Sequence, residues 1–332
     1  TIFLTADSAD KTVAFVNSEL LTCSFGDSKV QGTYISPFRI SCVSPPLADA
    51  AEVALIASNN GVDFDPSSSL AYRYGATPSL SSVSPVKGPD SGSTLLTLAG
   101  SNFDAGGSVW CRFRDTSGLG ETVVEAQSVL SQSEAVCETP AAIESSSAVE
   151  VSVSNNAVEF GLETSTFAYF AAPKIASISP MSGVFSTTIQ VTVSGSSFDP
   201  ALLGDVQCGL FSSTTSLLAA SSAASTVSAE VITCDLECPS ASTSSVASEL
   251  YTLEVSMNKG ADFTTASIPF YCDEPPSTVS VFPSVTQISE GESSSSTLLT
   301  VTGSKFHNRA TLACIFESDT SNRLESVPAT YL

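Results

Sequence analysis

Short stretches in which apolar and polar residues alternate run along the whole chain. Leu96, Leu98 and Phe103 are separated by polar or small residues, and Val191 and Val193 alternate with polar neighbours in the same way. Alternation of this kind is typical of a strand that buries one face. The period of about 3.6 residues that marks an amphipathic helix is absent from the sequence. The pattern therefore predicts an all-β protein.

Asparagine-containing turns divide three of these stretches into two arms. The arms 149–154 and 157–160 flank the asparagine pair at 155–156, and similar arms surround the turns at 59–61 and 258–260. Because Asn and Gly tolerate the left-handed backbone of a tight turn, each pattern predicts a β-hairpin. Short strands with such turns at regular spacing favour β-sandwiches.

A repeated order of motifs divides the chain into four units. The order is Ser-x-Ser-Pro, a strand that ends in Gly-Ser-x-Phe, a first cysteine strand and a second cysteine strand. The glycine recurs at Gly100, Gly195 and Gly303, about 95 to 110 residues apart, which is the length of one sandwich domain. We expect the second and third units to be whole, the opening strand of the first to be missing or incomplete and the fourth to stop halfway, as in a part of a longer protein. The predicted units 1 to 4 are residues 1–76, 77–172, 173–274 and 275–332.

These motifs resemble those of IPT/TIG domains, the immunoglobulin-like modules of plexins, hepatocyte-growth-factor-type receptors, protist surface proteins and certain transcription factors. The resemblance covers essentially the whole chain and includes the Cys-x-Phe strand, the Cys-x-x-Pro segment and the closing hairpin. It implies tandem immunoglobulin-like (E-set) β-sandwiches joined by short linkers such as 171–173. Because the motifs recur in order in four units, the resemblance is specific to the family, but it does not specify a function.

The nine cysteines follow the order of the repeats. In unit 3, a bond between Cys208 and Cys238, or a redox or metal pair of Cys234 with Cys238, is the alternative to the pairing given below. Cys314 is unpaired, and we expect its partner to lie beyond Leu332. Disulfides of this regularity predict an extracellular or cell-surface location. Repeat equivalence and the two remaining cysteines of unit 3 predict the bonds Cys23–Cys42, Cys111–Cys137, Cys208–Cys234 and Cys238–Cys272.

The charge balance limits the partners of the chain. There are 34 Asp and Glu against 12 Lys and Arg, a net charge of -22 that repels phosphate, so we expect no nucleic acid partner. Because no apolar run approaches the ~20 residues needed to cross a bilayer, we also expect no membrane insertion in this span. The sequence has no Asn-x-Ser/Thr site for N-linked glycan. O-linked glycan on Ser/Thr clusters, or on hydroxylated proline near 44–46, stays open.

Residues suited to catalysis or metal binding are scarce. His307 is the sole histidine, and it has no nucleophile motif beside it, so we assign it to a polar loop position and predict no catalytic, cofactor-binding or metal residue and no cofactor. Trp110 is expected either to pack near a disulfide or to anchor an interface. Five aspartates at turns could bind calcium, although turn formation alone explains them and is favoured: Asp63, Asp65, Asp104, Asp199 and Asp205.

Disulfide-stapled sandwiches on short linkers are typical of stiff spacers. We therefore predict a non-enzymatic extracellular structural protein that forms a stalk, surface coat or fibre, such as a cell-wall or flagellar-hair (mastigoneme-like) component. The alternative is a plexin-like receptor or adhesion ectodomain. Charged residues make up only 14% of the chain, and few basic residues guard the sheet edges. We therefore expect protein partners, through self-association or lateral packing in a larger assembly.

Overall fold

A computed structural model of the chain describes residues 1–5, 15–116, 120–143, 147–242, 247–285, 297–309, 312–317 and 324–332. Strands dominate, and the helical segments among these residues are two short 3-10 turns, Pro66–Ser68 and Pro200–Asp205. Each turn follows an aspartate, Asp65 or Asp199, whose carboxylate accepts the backbone N–H of the residue two positions later at 2.9 Å. Two of the five aspartates singled out in the sequence are therefore N-caps.

Unit 1 is built on one sheet that folds over itself. Its strands are β1 (Ile2–Thr5), β2 (Thr22–Phe25), β3 (Ser28–Ser36), β4 (Arg39–Cys42), β5 (Ala51–Ser58) and β6 (Leu70–Tyr74). They are ordered β1-β4-β3-β2-β5-β6. The first half of β3 pairs with β2 and its second half pairs with β4, so this one strand joins the two faces of the unit.

Unit 2 has two sheets, ordered β11-β10-β14-β15-β8 and β12-β13-β9-β7. The strands are β7 (Ser79–Ser84), β8 (Lys87–Pro89), β9 (Leu95–Ser101), β10 (Trp110–Asp115), β11 (Glu121–Glu125), β12 (Ser128–Ser131), β13 (Glu134–Glu138), β14 (Ala148–Ser154) and β15 (Ser165–Phe170). β7 pairs antiparallel with β9 in one sheet, and β8 pairs parallel with β15 in the other. The chain passes from one sheet to the other at the Ser84–Pro85 peptide bond, which is cis.

Unit 3 repeats this arrangement within one curled sheet, ordered β16-β18-β21-β20-β19-β22-β23-β17. The strands are β16 (Lys174–Ser179), β17 (Ser182–Val184), β18 (Thr188–Ser196), β19 (Gln207–Ser212), β20 (Leu218–Val227), β21 (Val231–Glu237), β22 (Ser248–Ser256) and β23 (Ile268–Asp273). β20 pairs with β19 and then with β21, as β3 does in unit 1. β16 and β17 flank the cis Ser179–Pro180 bond and belong to opposite faces.

Unit 4 contributes two strand pairs, β24 (Ser277–Phe282) with β25 (Thr300–Ser304) and β26 (Ala313–Glu317) with β27 (Leu324–Pro328). Large apolar side chains in its described part are exposed, with Val279 at 80% and Phe282 at 77%. Buried clusters instead fill units 1, 2 and 3 separately. In unit 2, Phe113 and Phe167 are fully buried, and each contributes roughly 2 to 3 kcal/mol through the apolar surface it removes from water.

The Gly-Ser-x-Phe motif forms a corner at the end of β9, β18 and β25. A Cβ at Gly100 would collide with the carbonyl oxygen of Ser79 and the ring of Phe103, and Gly195 and Gly303 have equivalent neighbours. The residue before each phenylalanine has a left-handed backbone, with φ of 61°, 62° and 64° at positions 102, 197 and 305. The motif thus lets the opening strand lie against the next one while the phenylalanine turns inward.

The three predicted hairpins are wrong in their second arms. Residues 157–160 are not a strand; the partner of β14 begins at Ser165, and the partners of β5 and β22 begin at Leu70 and Ile268. The reason is the asparagine side chain. Asn156 Oδ1 accepts the backbone N–H groups of residues 158 and 159 at 3.0 and 2.9 Å, which offers this backbone an alternative to the strand ladder.

The sheet edges are more protected than the basic residues alone suggest. In units 2 and 3 the opening segment divides between the two faces as β7/β8 and β16/β17, and in unit 3 β20 also pairs on both faces, which leaves short edge strands there. Short or interrupted edges are a common protection against edge-to-edge pairing. Self-association through the sheet edges stays a prediction.

Candidate functional site: the junctions between units

A hydrogen-bonded loop with the pattern Ser-x-Asn recurs at one end of units 1, 2 and 3. We call the segments 58–63, 154–159 and 256–262 the asparagine loops. In each, the serine hydroxyl donates to the asparagine Oδ1 at 3.0 Å. The asparagine Nδ2 in turn donates to the acidic side chain that ends the segment, at 2.7, 3.1 and 2.7 Å. The loops therefore share one internal framework.

The asparagine loop of unit 3 docks onto unit 2. Asn258 is 3% exposed, and its Nδ2 donates to the backbone carbonyl of Lys87 at 3.1 Å. Asp262 Oδ2 accepts the hydroxyl of Thr94, a fully buried residue of unit 2, at 2.7 Å. Asn60 and Asn156, the equivalent residues of units 1 and 2, are exposed. The same loop is thus an inter-unit contact in one place and a solvent-facing turn in the other two.

An ion pair and an apolar contact complete the junction between units 2 and 3. The Lys87 ammonium pairs with Asp205, and Lys259 Nζ lies 3.4 Å from the other oxygen of that carboxylate. The hydrogen bond from Lys87 holds the pKa of Asp205 below its ordinary value. Phe170, the last residue of β15, packs against the core of unit 3. A cleft of about 660 Å³ lies beside it and is lined by Pro89, Phe170, Ile175, Met257, Asp262 and Phe263 among others.

The junction between units 3 and 4 is centred on Arg309. Its guanidinium carbon lies 3.8 Å from the ring centroid of Tyr271, a cation–π contact. Nη2 donates to Asp273 Oδ1 at 2.8 Å and to Ser248 Oγ at 2.9 Å, and Nη1 pairs with the other oxygen of Asp273. A bidentate pair of this type fixes orientation as well as distance. A second ion pair joins unit 4 to unit 3: Lys305 with Glu274.

An ion pair crosses the junction between units 1 and 2. Arg73 of β6 pairs with Asp104, which follows the Gly-Ser-x-Phe corner of unit 2. The Arg73 side chain is 58% exposed, so water screens this contact more than those of the other junctions. Asp104 is also oriented by its backbone, because its N–H donates to Asn155 Oδ1 at 3.2 Å.

The five turn aspartates have structural partners, whereas the buried Nε2 of His307 has no hydrogen-bond partner among the described residues. It lies 3.9 Å from Asp273 Oδ1 at the junction of units 3 and 4, beside Arg309. Asp63 holds the asparagine loop of unit 1, Asp65 and Asp199 are N-caps, and Asp104 and Asp205 form the ion pairs above. Within the described ranges, no group of three or more His, Cys, Asp or Glu is placed to hold a metal ion.

Residues 78–169, most of unit 2, match the IPT/TIG domain family. The chain is a tandem array of immunoglobulin-like units, and unit 2 is an IPT/TIG domain. It is 28% identical over 176 residues to human Plexin-A3, covering 51% of this chain and 9% of that protein, and 30% identical over 169 residues to Plexin A3 of Danio rerio. The latter match covers 49% of this chain and 8% of that protein. The chain therefore spans about a tenth of the length of its plexin relatives. A solved extracellular region of plexin A4 aligns with 98% of this chain and 27% of its own, at 16% identity and a TM-score of 0.41.

Scarce basic residues concentrate at the junctions of the IPT/TIG repeats. The sequence has 12, and among those that the structure describes four pair with an acid in a neighbouring unit: Arg73, Lys87, Lys305 and Arg309. The charge that the preceding unit contributes also changes along the array. The preceding unit supplies the basic residue at the first two junctions and the acidic residue at the third. An exchanged neighbour would therefore meet mismatched charge, which opposes the wrong order of modules.

The structure joins the cysteines within IPT/TIG repeats. The bonded pairs are Cys23 with Cys42, Cys111 with Cys137, Cys208 with Cys234, and Cys238 with Cys272. Their Cα–Cα distances of 5.7 to 6.5 Å lie in the usual range for a disulfide. Cys314 has no disulfide partner in the part of unit 4 that the structure describes. Paired cysteines and plexin relatives indicate an extracellular or secreted region. No described helix is long and apolar enough to span a membrane.

Trp110 lies on the outer face of its IPT/TIG repeat. Cys111 and Phe113, which follow it along β10, are fully buried. Trp110 is half-buried and lies on the opposite face of that strand. Of the two expectations for this residue, packing near the disulfide is therefore wrong. The alternation with Cys111 was a sufficient signal, because successive side chains of a strand point to opposite faces.

Proposed function

We propose that this chain is a non-enzymatic extracellular spacer whose IPT/TIG units are held in a fixed order and orientation. The observation that carries the proposal is the docked asparagine loop of unit 3. Its two hydrogen bonds to unit 2, with the Lys87–Asp205 ion pair, connect elements that are up to 171 residues apart in the sequence. Contacts of this kind lie between two units that each have a core of their own. They therefore add to the stability of the docked units and favour one placement of the two units relative to one another.

The junction energy supports a preferred orientation of units 2 and 3. Each of its three polar contacts contributes about 1 kcal/mol net. Together they favour the docked arrangement over a freely rotating linker by roughly a hundredfold, since each 1.4 kcal/mol is about tenfold. The contact of Phe170 with the unit 3 core adds to this preference. A spacer with such junctions transmits the direction of one unit to the next.

A stalk, surface coat or fibre, such as a cell-wall or flagellar-hair component, is the use of this spacer that we propose first. Support comes from the repeated disulfides and from junctions on both sides of unit 3. The second candidate is a plexin-like receptor or adhesion ectodomain, which the identity of 28 to 30% with plexins over about half the chain favours. A full-length protein with one membrane helix and a signalling domain would support the receptor, and many further repeats would support the fibre.

Partners of the spacer are proposed to be proteins. Lateral packing against copies of itself is favoured by a surface of small hydroxyl side chains, which lose little rotamer entropy when they are covered. The chain is also proposed to carry O-linked glycan on its Ser/Thr clusters. Light scattering and negative-stain imaging of the native full-length protein test both assembly and stiffness. Ordered bundles support the fibre, and dispersed flexible monomers at high concentration support the receptor.

Small-angle X-ray scattering of the 332-residue chain tests the spacer itself. The double variant Lys87→Met with Thr94→Val removes two junction contacts without charge reversal, and we expect a broader distribution of interatomic distances than in the native chain. Arg114→Met is the control, because Arg114 pairs with Glu121 inside unit 2 and leaves the junction intact. Identical profiles for the native chain and the double variant would mean that these contacts do not set the orientation.

A further inference from the structure

Units 2 and 3 each contain a pair of parallel strands that connects the beginning of the unit to its end. β8 runs parallel to β15, with Gly88 opposite Tyr169, and β17 runs parallel to β23, with Gly183 opposite Cys272. In unit 2 the pair is flanked by hydrogen bonds from Ala168 to Val86 at 2.9 Å and from Asp90 to Phe170 at 2.8 Å. Unit 3 repeats these flanking bonds at 3.0 Å each.

This topology determines how tension along the array acts on each unit. A pull on both ends draws the early strand backward along its own direction and draws the last strand forward. Because the two strands are parallel, they must slide past one another, and all bonds between them are loaded at the same time. Antiparallel terminal strands would separate from one end, one bond after another. The parallel pairs therefore resist end-to-end tension as a group.

A second tie holds the last strand of each unit to the segment that follows the second cysteine strand. In unit 2 it is a hydrogen bond, from the Tyr169 hydroxyl to the Pro140 carbonyl oxygen at 2.9 Å. In unit 3 the tie is covalent, the Cys238–Cys272 disulfide, and Cys272 is opposite Gly183 in the parallel pair. Any Cβ at Gly183 would lie 2.9 Å from Cys238 Sγ, so the bridge lies directly against the early strand.

We propose that units 2 and 3 bear tension through their parallel strand pairs, and that unit 3 limits the extension of the array through its two disulfides. The bonds Cys208–Cys234 and Cys238–Cys272 close consecutive loops of 26 and 34 residues that tension cannot extend. Unit 2 closes one loop of 26 residues. Unit 3 thus needs a higher force to begin unfolding, and it releases a shorter length of chain when it unfolds.

The expected lengths differ enough to be measured. With both bridges intact, unit 3 can release only about 40 of its residues, on the order of 140 Å of extended chain. Unit 2 can release about 70 residues, on the order of 240 Å. The short and long releases therefore identify the two units in one recording.

Single-molecule force spectroscopy of the whole chain, pulled from its two ends, tests the proposal. In the oxidised chain we expect the short step of unit 3 and the longer step of unit 2, with the short step at the higher force. Unit 1 should add an intermediate step of about 55 residues, because Cys23–Cys42 closes a loop of only 19. In Cys238→Ser with Cys272→Ser, the short step should lengthen to about 75 residues, because only the 26-residue loop remains closed. A lengthened step at unchanged force would overturn the role of the bridge in resisting tension, and the absence of a short step in the oxidised chain would overturn the extension limit.

Two variants of one residue in unit 2 test the parallel pair itself. Asp90→Pro removes the N–H that bonds to the Phe170 carbonyl oxygen, whereas Asp90→Ala keeps that N–H and removes only the carboxylate. The proline variant should lower the force of the longer step, and the alanine variant should leave it nearly unchanged. Equal forces would overturn the shear argument. This proposal depends on contacts within units 2 and 3. Its test is therefore independent of the proposal that the units have a fixed orientation, which depends on contacts between units.

Discussion

The loss of one asparagine in unit 3 should destabilise unit 2. Asn258→Ala removes the hydrogen bond to the Lys87 carbonyl oxygen and the amide that holds Asp262 toward Thr94. One lost bond and one weakened bond at a largely buried site correspond to about 2 kcal/mol. With a urea m-value of about 1.5 kcal/mol/M, the unfolding midpoint of unit 2 should fall by roughly 1.3 M.

The assay uses the fluorescence of Trp110, which is the sole tryptophan and reports on unit 2. Asn60→Ala in unit 1 is the matched control, because Asn60 makes the equivalent bonds inside its own loop and is exposed. We expect the control to leave the Trp110 midpoint unchanged. Equal midpoints for the two variants would refute the reasoning, since the docked loop would then contribute nothing to the stability of its neighbour.

Four other measurements have definite expected results. Burial raises the pKa of Tyr169 to about 12, above the value of about 10 in an unfolded chain. The contribution of the neutral hydroxyl to stability is therefore intact below pH ~10 and is lost as pH rises to ~12. Tyr169→Phe should reduce the fall of the unfolding free energy between these pH values, and an unchanged fall would refute the assignment. Gly100→Ala should cost about 3 kcal/mol in thermal unfolding, because its Cβ meets the backbone at Ser79, and a cost below 1 kcal/mol would contradict that contact. EDTA should leave the melting temperature unchanged, whereas a fall of many degrees would make the turn aspartates calcium ligands. Non-reducing peptide mapping should return Cys23–Cys42, Cys111–Cys137, Cys208–Cys234 and Cys238–Cys272, and a Cys208–Cys238 peptide would contradict the pairing.

The all-β sandwich fold and its repeats were predictable because they depend on local patterns. Alternation along β9 and β18 gives the buried face, and the Gly-Ser-x-Phe corner repeats with the same collision between glycine and the opening strand. The second arms of the hairpins were not predicted correctly. The Asn156 side chain accepts the backbone N–H groups of residues 158 and 159, which in a tight hairpin would be free to bond to the neighbouring strand. The alternation of apolar and polar residues does not reveal this side-chain contact.

The junctions were beyond sequence reasoning for a different reason. Thr94 and Asp262 are 168 residues apart, and neither belongs to a periodic pattern or a motif of known chemistry. One signal was present in the composition. In a chain with 12 basic residues, Arg73 lies close to the end of unit 1, whereas Lys87 and Arg309 reach their junctions only through the fold. The asparagine loop was visible as a turn, but its docking depends on what the neighbouring unit presents.

The distance distribution between units 2 and 3 tests the central claim most directly. Spin labels on genetically encoded keto side chains at Leu130 and Leu217, which are 60% and 68% exposed, would report on the two units without disturbing the cysteines. The fixed junction predicts a single narrow distribution by double electron–electron resonance, which broadens in Lys87→Met with Thr94→Val. A broad distribution in the native chain, unchanged in that variant, would contradict the account of a spacer with fixed unit orientation.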